Sequence, residues 1–277
     1  MKFTKMHGCA NDYIYVNGFE EKIENPGEVS KKISPRHFSV GSDGMIIINP
    51  SNVADFKMSM YNLDGSEGKM CGNGIRCVAK YVYDNGLTDK TTITVETLSG
   101  IKTLDLEVEN GKVSMVKVNM GAPVLEPELI PVISSKKAFI NEPVEVNGEV
   151  YNITCVSMGN PHAVVFVDDT SLLKLEDIGP NFENHALFPE RINTEFIEVI
   201  SRKEINMRVW ERGSGETYAC GTGACASVVA CVLNDKTDNI VKVHLLGGDL
   251  MINYDENNNR VFMTGPAVTV YTGEIDI

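Results

Sequence analysis

The sequence predicts an α+β protein built from two pseudo-symmetric domains, each mostly strand with one prominent helix. Three observations carry that prediction. The 277-residue chain repeats itself at a shift of 149 residues. Each half shows runs of β-branched and aromatic residues between Gly, Pro and Asn breaks. Each half also has one strong helical pattern, which begins at a Cys-Gly-x-Gly turn: "KMCGNGIRCVAK" from Lys69 and "YACGTGACASVV" from Tyr218. A period this long marks two similar domains rather than a solenoid of short units.

The elements follow in order. In the first half, Asn11 leads into a strand at 13–16, and a short amphipathic helix is expected at 29–33, before strands at 45–48 and 56–61. Cys71 then opens the main helix, whose apolar face is Ile75, Val78, Ala79 and Val82 at i, i+3, i+4 and i+7. Strands at 92–96 and 113–118 complete the half. In the second half Asn160 takes the place of Asn11, and the spacing from Asn to Cys is again 60. Strands are expected at 163–167, 195–200, 205–210, 241–245 and 249–254, with a short helix at 172–175. The helix after Cys220 carries Ala224, Ser227, Val228 and Cys231 on its inner face, small residues that permit close packing. "TLSG" at Thr97 pairs with "LLGG" at Leu245, and "VNMGAP" at Val118 with "FMTGPA" at Phe262. No linker stands out, so the repeat alone sets the boundary, near 121–131, between domains 1–120 and 121–265.

Composition narrows the function. With 38 acidic against 25 basic residues and a net charge of -13, the chain as a whole repels nucleic acid and anionic membranes. The start, "MKFTKMHGCAND", lacks the apolar core of a signal peptide, and the longest apolar run is Val228 to Leu233, so a cytoplasmic protein is expected. Seven cysteines argue against a disulfide framework, and neither they nor the five histidines show zinc-ligand spacing; no metal is expected. Cys77, Cys155, Cys225 and Cys231 fall inside element patterns and read as core.

Cys71 and Cys220 read differently. Exposed N–H groups and the positive end of the dipole make a helix start an anion site, and glycines let a ligand approach the backbone. A cysteine there has a stabilised thiolate and can serve as base or acid. Two such starts facing one ligand suit inversion at a carbon bearing a carboxylate, with no cofactor: one thiolate removes the α-proton while the opposite thiol supplies another. The alternatives are a different isomerase built on the same plan and a redox module that works by bridging the two thiols. Read alone, His162 is an ordinary half-buried histidine, Asn11 and Asn160 are turn formers, and Glu211 with Arg212 is a surface ion pair.

The motifs "KMHG", "NDY", "NLDGSE", "MCGNGIRC", "VSMGNPH", "FPERINTEF", "ERGSGETYACGTGACA" and "MTGPA" run the length of the chain and resemble the diaminopimelate epimerase family. The resemblance implies two α+β domains, strands wrapped around a central helix in each, an active site between them, and a C-terminal tail (266–277) returning to the first domain. It implies Cys71 and Cys220 as the catalytic thiols and His162 and Glu211 as residues that tune them. Asn11, Asn62, Gly72, Asn73, Asn160, Asn193, Glu211, Arg212, Gly221 and Thr222 are implied as substrate contacts, and Tyr271 as part of a homodimer interface. Arg212 would fork onto the distal carboxylate of diaminopimelate. The sequence departs from the family pattern at Gly44, where some members carry a glutamine, and at Cys9-Ala10, where glycine is common at the second position; Cys9 is expected near the cleft without a catalytic role.

Overall fold

The computed structural model describes residues 1–277, which divide into two units: Met1–Asn119 with Thr264–Ile277, and Met120–Met263. In the first, β1 (Lys2–Gly8) and β2 (Asn11–Asn17) form an antiparallel hairpin. The chain then crosses over through α1 (Pro26–Ile33) to β3 (Gly44–Asn49), parallel to β2. β4 (Phe56–Asn62) returns antiparallel to β3, with the short β5 (Glu67–Gly68) on its far edge. A second crossover, α2 (Gly72–Asp84), leads to β6 (Thr92–Thr97), parallel to β4. The meander β7 (Gly100–Glu109) and β8 (Lys112–Gly121) follows. Parallel neighbours need a long connection, and both helices serve as one.

Period-two alternation assigns each helix its face of the sheet. Ile14 and Val16 on β2 pack with Phe3, Met45, Ile47 and Ile33 of α1. Tyr15 points the other way, its hydroxyl donating to the Gly74 carbonyl of α2 at 3.1 Å. The expected face of α2, Ile75, Val78, Ala79 and Val82, is wholly buried. Pro26 and Glu28 at its start and Lys31 and Lys32 in its last turn suit α1 to its dipole.

The second unit repeats the order. β9 (Glu142–Val146), β10 (Glu149–Ser157) and β11 (Pro161–Phe166) are antiparallel neighbours. α3 (Leu175–Glu183) crosses to β12 (Asn193–Ser201), parallel to β11, and β13 (Glu204–Glu211) and β14 (Gly215–Thr217) follow. α4 (Gly221–Leu233) then crosses to β15 (Ile240–Leu245), parallel to β13, and β16 (Gly248–Asp255) pairs with β15. After β17 (Arg260–Pro266), β18 (Val268–Glu274) pairs antiparallel with β1 in the first unit. α4 is buried from Gly223 to Cys231, consistent with a helix enclosed by strands. No helix is long and apolar enough to cross a membrane.

The short helix expected at 172–175 lies elsewhere. A 3₁₀ turn, Thr170–Leu172, is capped by Asp169, whose carboxylate accepts from Ser171 N–H at 2.8 Å. Leu173 is then extended, and the true helix starts at Leu175 with Glu176 and Asp177 in its first turn. Gly179-Pro180 hides this helix in the sequence, because proline removes an internal hydrogen bond. Gly179 is needed for packing: a Cβ there would stand 2.3 Å from the Trp210 ring.

Candidate active site

In the first unit Cys71 is the N-cap of α2, extended at φ -128° and ψ 120°. Its sulfur does what a serine or aspartate oxygen usually does there, accepting from the Gly74 N–H at 3.3 Å. The thiol also lies 3.1 Å from Asn11 Oδ1, and the Asn11 amide donates to Asp43 Oδ2 at 2.8 Å. Cys9 and Ala10, which hold the hairpin just before Asn11, both have left-handed backbones, φ 52° and 63°. Asp43 joins Arg36 at 2.7 Å, Arg36 joins Asp12 at 2.8 Å, and Lys5 completes an ion network around Asp12. Burial, then the nearby Asp12 charge, raises Asp43. Burial would raise Asp12 too, but bonds from Arg36 and Lys5 outweigh it and hold that carboxyl below its ordinary value. Tyr13 is pushed well up by burial, then by Cys71 and Asp43, and so stays a neutral phenol.

The second unit makes the same turn. Cys220 is the N-cap of α4, φ -121° and ψ 108°, and its sulfur accepts from the Gly223 N–H at 3.4 Å, with Thr222 Oγ1 at 3.5 Å. The surroundings differ. A ring nitrogen of His162, a carboxylate oxygen of Glu195 and the Cys220 sulfur lie within 4.8 Å of one another, all buried. His162 Nδ1 is 2.7 Å from Glu195 Oε1 and Nε2 is 3.0 Å from Asn160 Oδ1. With both ring nitrogens engaged, a cation would have to break one of these bonds to bind, so the cluster is built as a hydrogen-bonded relay. Glu211 accepts from Thr217 Oγ1, and burial raises its carboxyl. Cys220 is pushed well above an ordinary thiol, first by burial, then by the charges of Glu211 and Glu195.

A family model described as diaminopimelate epimerase matches residues 3–126 and 154–270. Proteins named diaminopimelate epimerase from Acetivibrio thermocellus and Methanococcus maripaludis strain C5 are 62% and 58% identical over 277 residues, covering 100% of this chain and 99% and 100% of theirs. The chain belongs to the diaminopimelate epimerase family. Solved structures of distant proteins share the fold. A probable proline racemase from Agrobacterium radiobacter superposes with a TM-score of 0.73 at 13% identity, covering 100% of this chain and 93% of that one. A PhzF-family protein from Bacillus anthracis gives 0.70 at 19%, covering 100% and 99%.

The other residues that the diaminopimelate epimerase resemblance implied lie in several settings. Gly72 with Asn73, and Gly221 with Thr222, form the first turns behind the two cysteines. Asn193 is 4% exposed and fastens backbone, donating to the Pro161 carbonyl at 2.8 Å and accepting from the Arg212 N–H at 2.9 Å. Asn62 donates to Ser66 Oγ at 3.0 Å in the β4–β5 turn. The Arg212 guanidinium is held by the Glu190 carbonyl at 2.8 Å rather than by Glu211, so the two form no surface pair. Cys9 is buried against Arg76, whose Nη2 lies 3.6 Å from its sulfur. At Gly44 a Cβ would stand 2.2 Å from the Tyr61 carbonyl oxygen, so a glutamine there requires the β3–β4 pair to move. Tyr271 lies on β18, edge-on to Phe3 at 6.0 Å and 44% exposed.

Sequence reasoning missed Tyr13, Asp43 and Glu195. The signal for two of them was present: the 149-residue shift that aligns the cysteines sets Tyr13 on His162 and Ile46 on Glu195.

Proposed function

We propose that the protein interconverts LL- and meso-diaminopimelate by two-thiol proton exchange at the α-carbon. The observation that carries this reading is the duplicated thiol at the N-cap of a glycine-rich helix start, in a chain more than half identical to proteins named for that reaction. Inversion requires a thiolate on one face of the α-carbon and a thiol on the other. The first accepts the α-proton, the second donates its own, and charge and proton count balance without redox change. N–H groups of the first helical turns stabilise the substrate carboxylate as electron density moves onto it. Burial and two carboxylates favour the protonated form of Cys220, which suits it to the donor's part when Cys71 is the base. The reaction requires Cys71 and Cys220 to share one α-carbon, with Asn11, Asn62, Asn160, Asn193, Glu211 and Arg212 contributing to substrate recognition.

The same reading makes the protein a cytoplasmic enzyme, where thiols stay reduced, and a homodimer through β18, which exposes Val268, Val270 and Tyr271; native mass spectra showing only monomer would remove the dimer. The reaction is tested by incubating reduced protein with LL-diaminopimelate in deuterated water and following α-deuterium and meso product by NMR. Wild type incorporates deuterium with inversion, and Cys71→Ala and Cys220→Ala do not. Absence of exchange in reduced wild type sinks the reading, and a panel of other amino acids then distinguishes a different isomerase.

A further inference from the structure

Glu195 enters the chemistry above only through its charge on Cys220, yet its position is costly. It is 0% exposed, and its Oε2 is buried without a hydrogen-bond partner, a cost that native interiors seldom carry. The first unit shows that the fold does not need a carboxylate here. Its repeat partner, Ile46, fills the same place under the helix start. A Cβ on Gly74 would stand 2.8 Å from Ile46 Cδ1 and 3.3 Å from Met58 Cε; one on Gly223 would stand 2.5 Å from Glu195 Oε1 and 3.1 Å from Met207 Cε. Gly74 and Gly223, and Met58 and Met207, are themselves repeat partners. Packing is alike in the two places, and one apolar side chain has become an acid.

The partner of that acid explains the exchange. His162 faces an acceptor at each ring nitrogen, the Glu195 carboxylate at 2.7 Å and the Asn160 carbonyl at 3.0 Å. The geometry offers an acceptor to each ring nitrogen, and a ring that donates to both is an imidazolium. We infer that Glu195 is a positioning residue, which holds His162 as an oriented imidazolium beside Cys220 and, through the ring, fixes which end of the Asn160 carboxamide is left for a ligand. The inference rests on the epimerase reading for its catalytic meaning only.

Two further observations support it. The first unit has a fully buried arginine at its helix start, Arg76, which donates to the Gly72 carbonyl at 3.2 Å; its repeat partner is Cys225, so the second start has no such cation unless His162 supplies one. The ionisable groups that the structure sets beside the ring are carboxylates and thiols. Glu195 comes from β12, Glu211 from the end of β13, Cys220 from the start of α4, and Cys155 on β10 lies within the field of Glu195. Each time Cys220 carries a thiolate during turnover, an imidazolium within 4.8 Å opposes the repulsion of the two carboxylates.

Glu195→Gln is the discriminating variant, because glutamine still accepts from Nδ1–H but cannot hold the charge. Protein labelled with ¹⁵N-histidine, assigned with His162→Ala, reads the ring directly, and α-proton exchange reads the consequence. Wild type should show both His162 nitrogens protonated at pH 7. Glu195→Gln should show one deprotonated, and kcat should fall about 100-fold, the usual weight of a proton-transfer group, with no loss of thermal midpoint. A neutral His162 in wild type overturns the inference, as does a Glu195→Gln variant that keeps the doubly protonated ring or the wild-type kcat. Should that variant fail to fold, the wild-type spectrum alone decides. If wild type does not act on LL-diaminopimelate, the epimerase reading fails while the spectrum still decides the relay.

Discussion

At Cys71 and at Cys220 the chain makes one turn twice, with the same extended N-cap, the same sulfur-to-N–H bond and a methionine beneath each third helical residue. Around that shared frame the chemistry has diverged. Cys71 is next to a neutral phenol, Tyr13, and an asparagine tied to the half-exposed network of Asp43, Arg36, Asp12 and Lys5. Cys220 sits over a dry imidazole–carboxylate pair. The asparagines are turned in opposite senses: Asn11 gives its N–H to Asp43 and its carbonyl to the thiol, whereas Asn160 gives its carbonyl to His162. Duplication supplied two equal helix starts, and substitution at residues 13/162, 46/195 and 76/225 made them unequal.

The largest effect expected from breaking the comparison comes from moving the acid to the other unit. Ile46 is 0% exposed and Tyr13 cannot become cationic, so Ile46→Glu places a charge in the core without a cation at the place His162 holds in the second unit. It should lose about 3–5 kcal/mol, the cost of an uncompensated buried charge, read by urea unfolding. The reverse exchange, Glu195→Ile with His162→Tyr, should stay within about 1 kcal/mol of wild type or gain stability, because apolar replacement of a buried ion pair is often neutral or better. Similar losses in both directions would show that the two places are not equivalent after all.

A smaller effect is expected at the glycines. Gly74→Ala pushes against Ile46 Cδ1, the end of a flexible side chain, while Gly223→Ala pushes against a carboxylate oxygen locked to His162. Overpacking costs about 1–3 kcal/mol where neighbours cannot yield, so Gly223→Ala should approach that range in urea midpoints and Gly74→Ala should fall below it. Equal midpoints would mean that Glu195 is as mobile as Ile46, which would also weaken the relay.

Much of this asymmetry was hidden in the sequence for a physical reason. The strand β12 is buried on both faces: Phe196 joins the core under α3, while Glu195 turns to α4. A glutamate in "NTEFIEVI" therefore looks like the solvent side of a half-exposed strand, and alternation alone assigns it the wrong environment. The elements that were legible, α2, α4 and the strands beside them, carry long apolar patterns or turn glycines. β1 and β7 interleave charged or polar residues with inward ones, β18 buries none of its side chains, and α3 carries a Gly-Pro pair, so their local signals fall below those of their neighbours. The cysteine turns were legible because glycine and cysteine repeat there together. Arg76 and Cys225 lie within the helices themselves, but the side chains at 13/162 and 46/195 lie far from the turns in sequence and are brought together by parallel pairing, β2 with β3 and β11 with β12.

The smallest effect, and the most direct reading of the difference between the thiols, comes from Glu211→Gln. Burial is the main cause that raises Cys220, followed by the charge of Glu211 and then that of Glu195. A raised thiol is protonated below its folded value, so alkylation, which needs the thiolate, climbs only at high pH. Removing the Glu211 charge leaves burial in place but lifts part of the repulsion, which moves that climb toward neutral pH. At pH 8 the rate of iodoacetamide capture at Cys220, followed by peptide mass spectrometry with Cys71 in the same sample as reference, should rise about threefold or more. Capture at Cys71 should not change. A Cys220 profile that stays fixed would mean that Glu211 is itself protonated beside the thiol, and the charge opposing the thiolate would then be that of Glu195 alone.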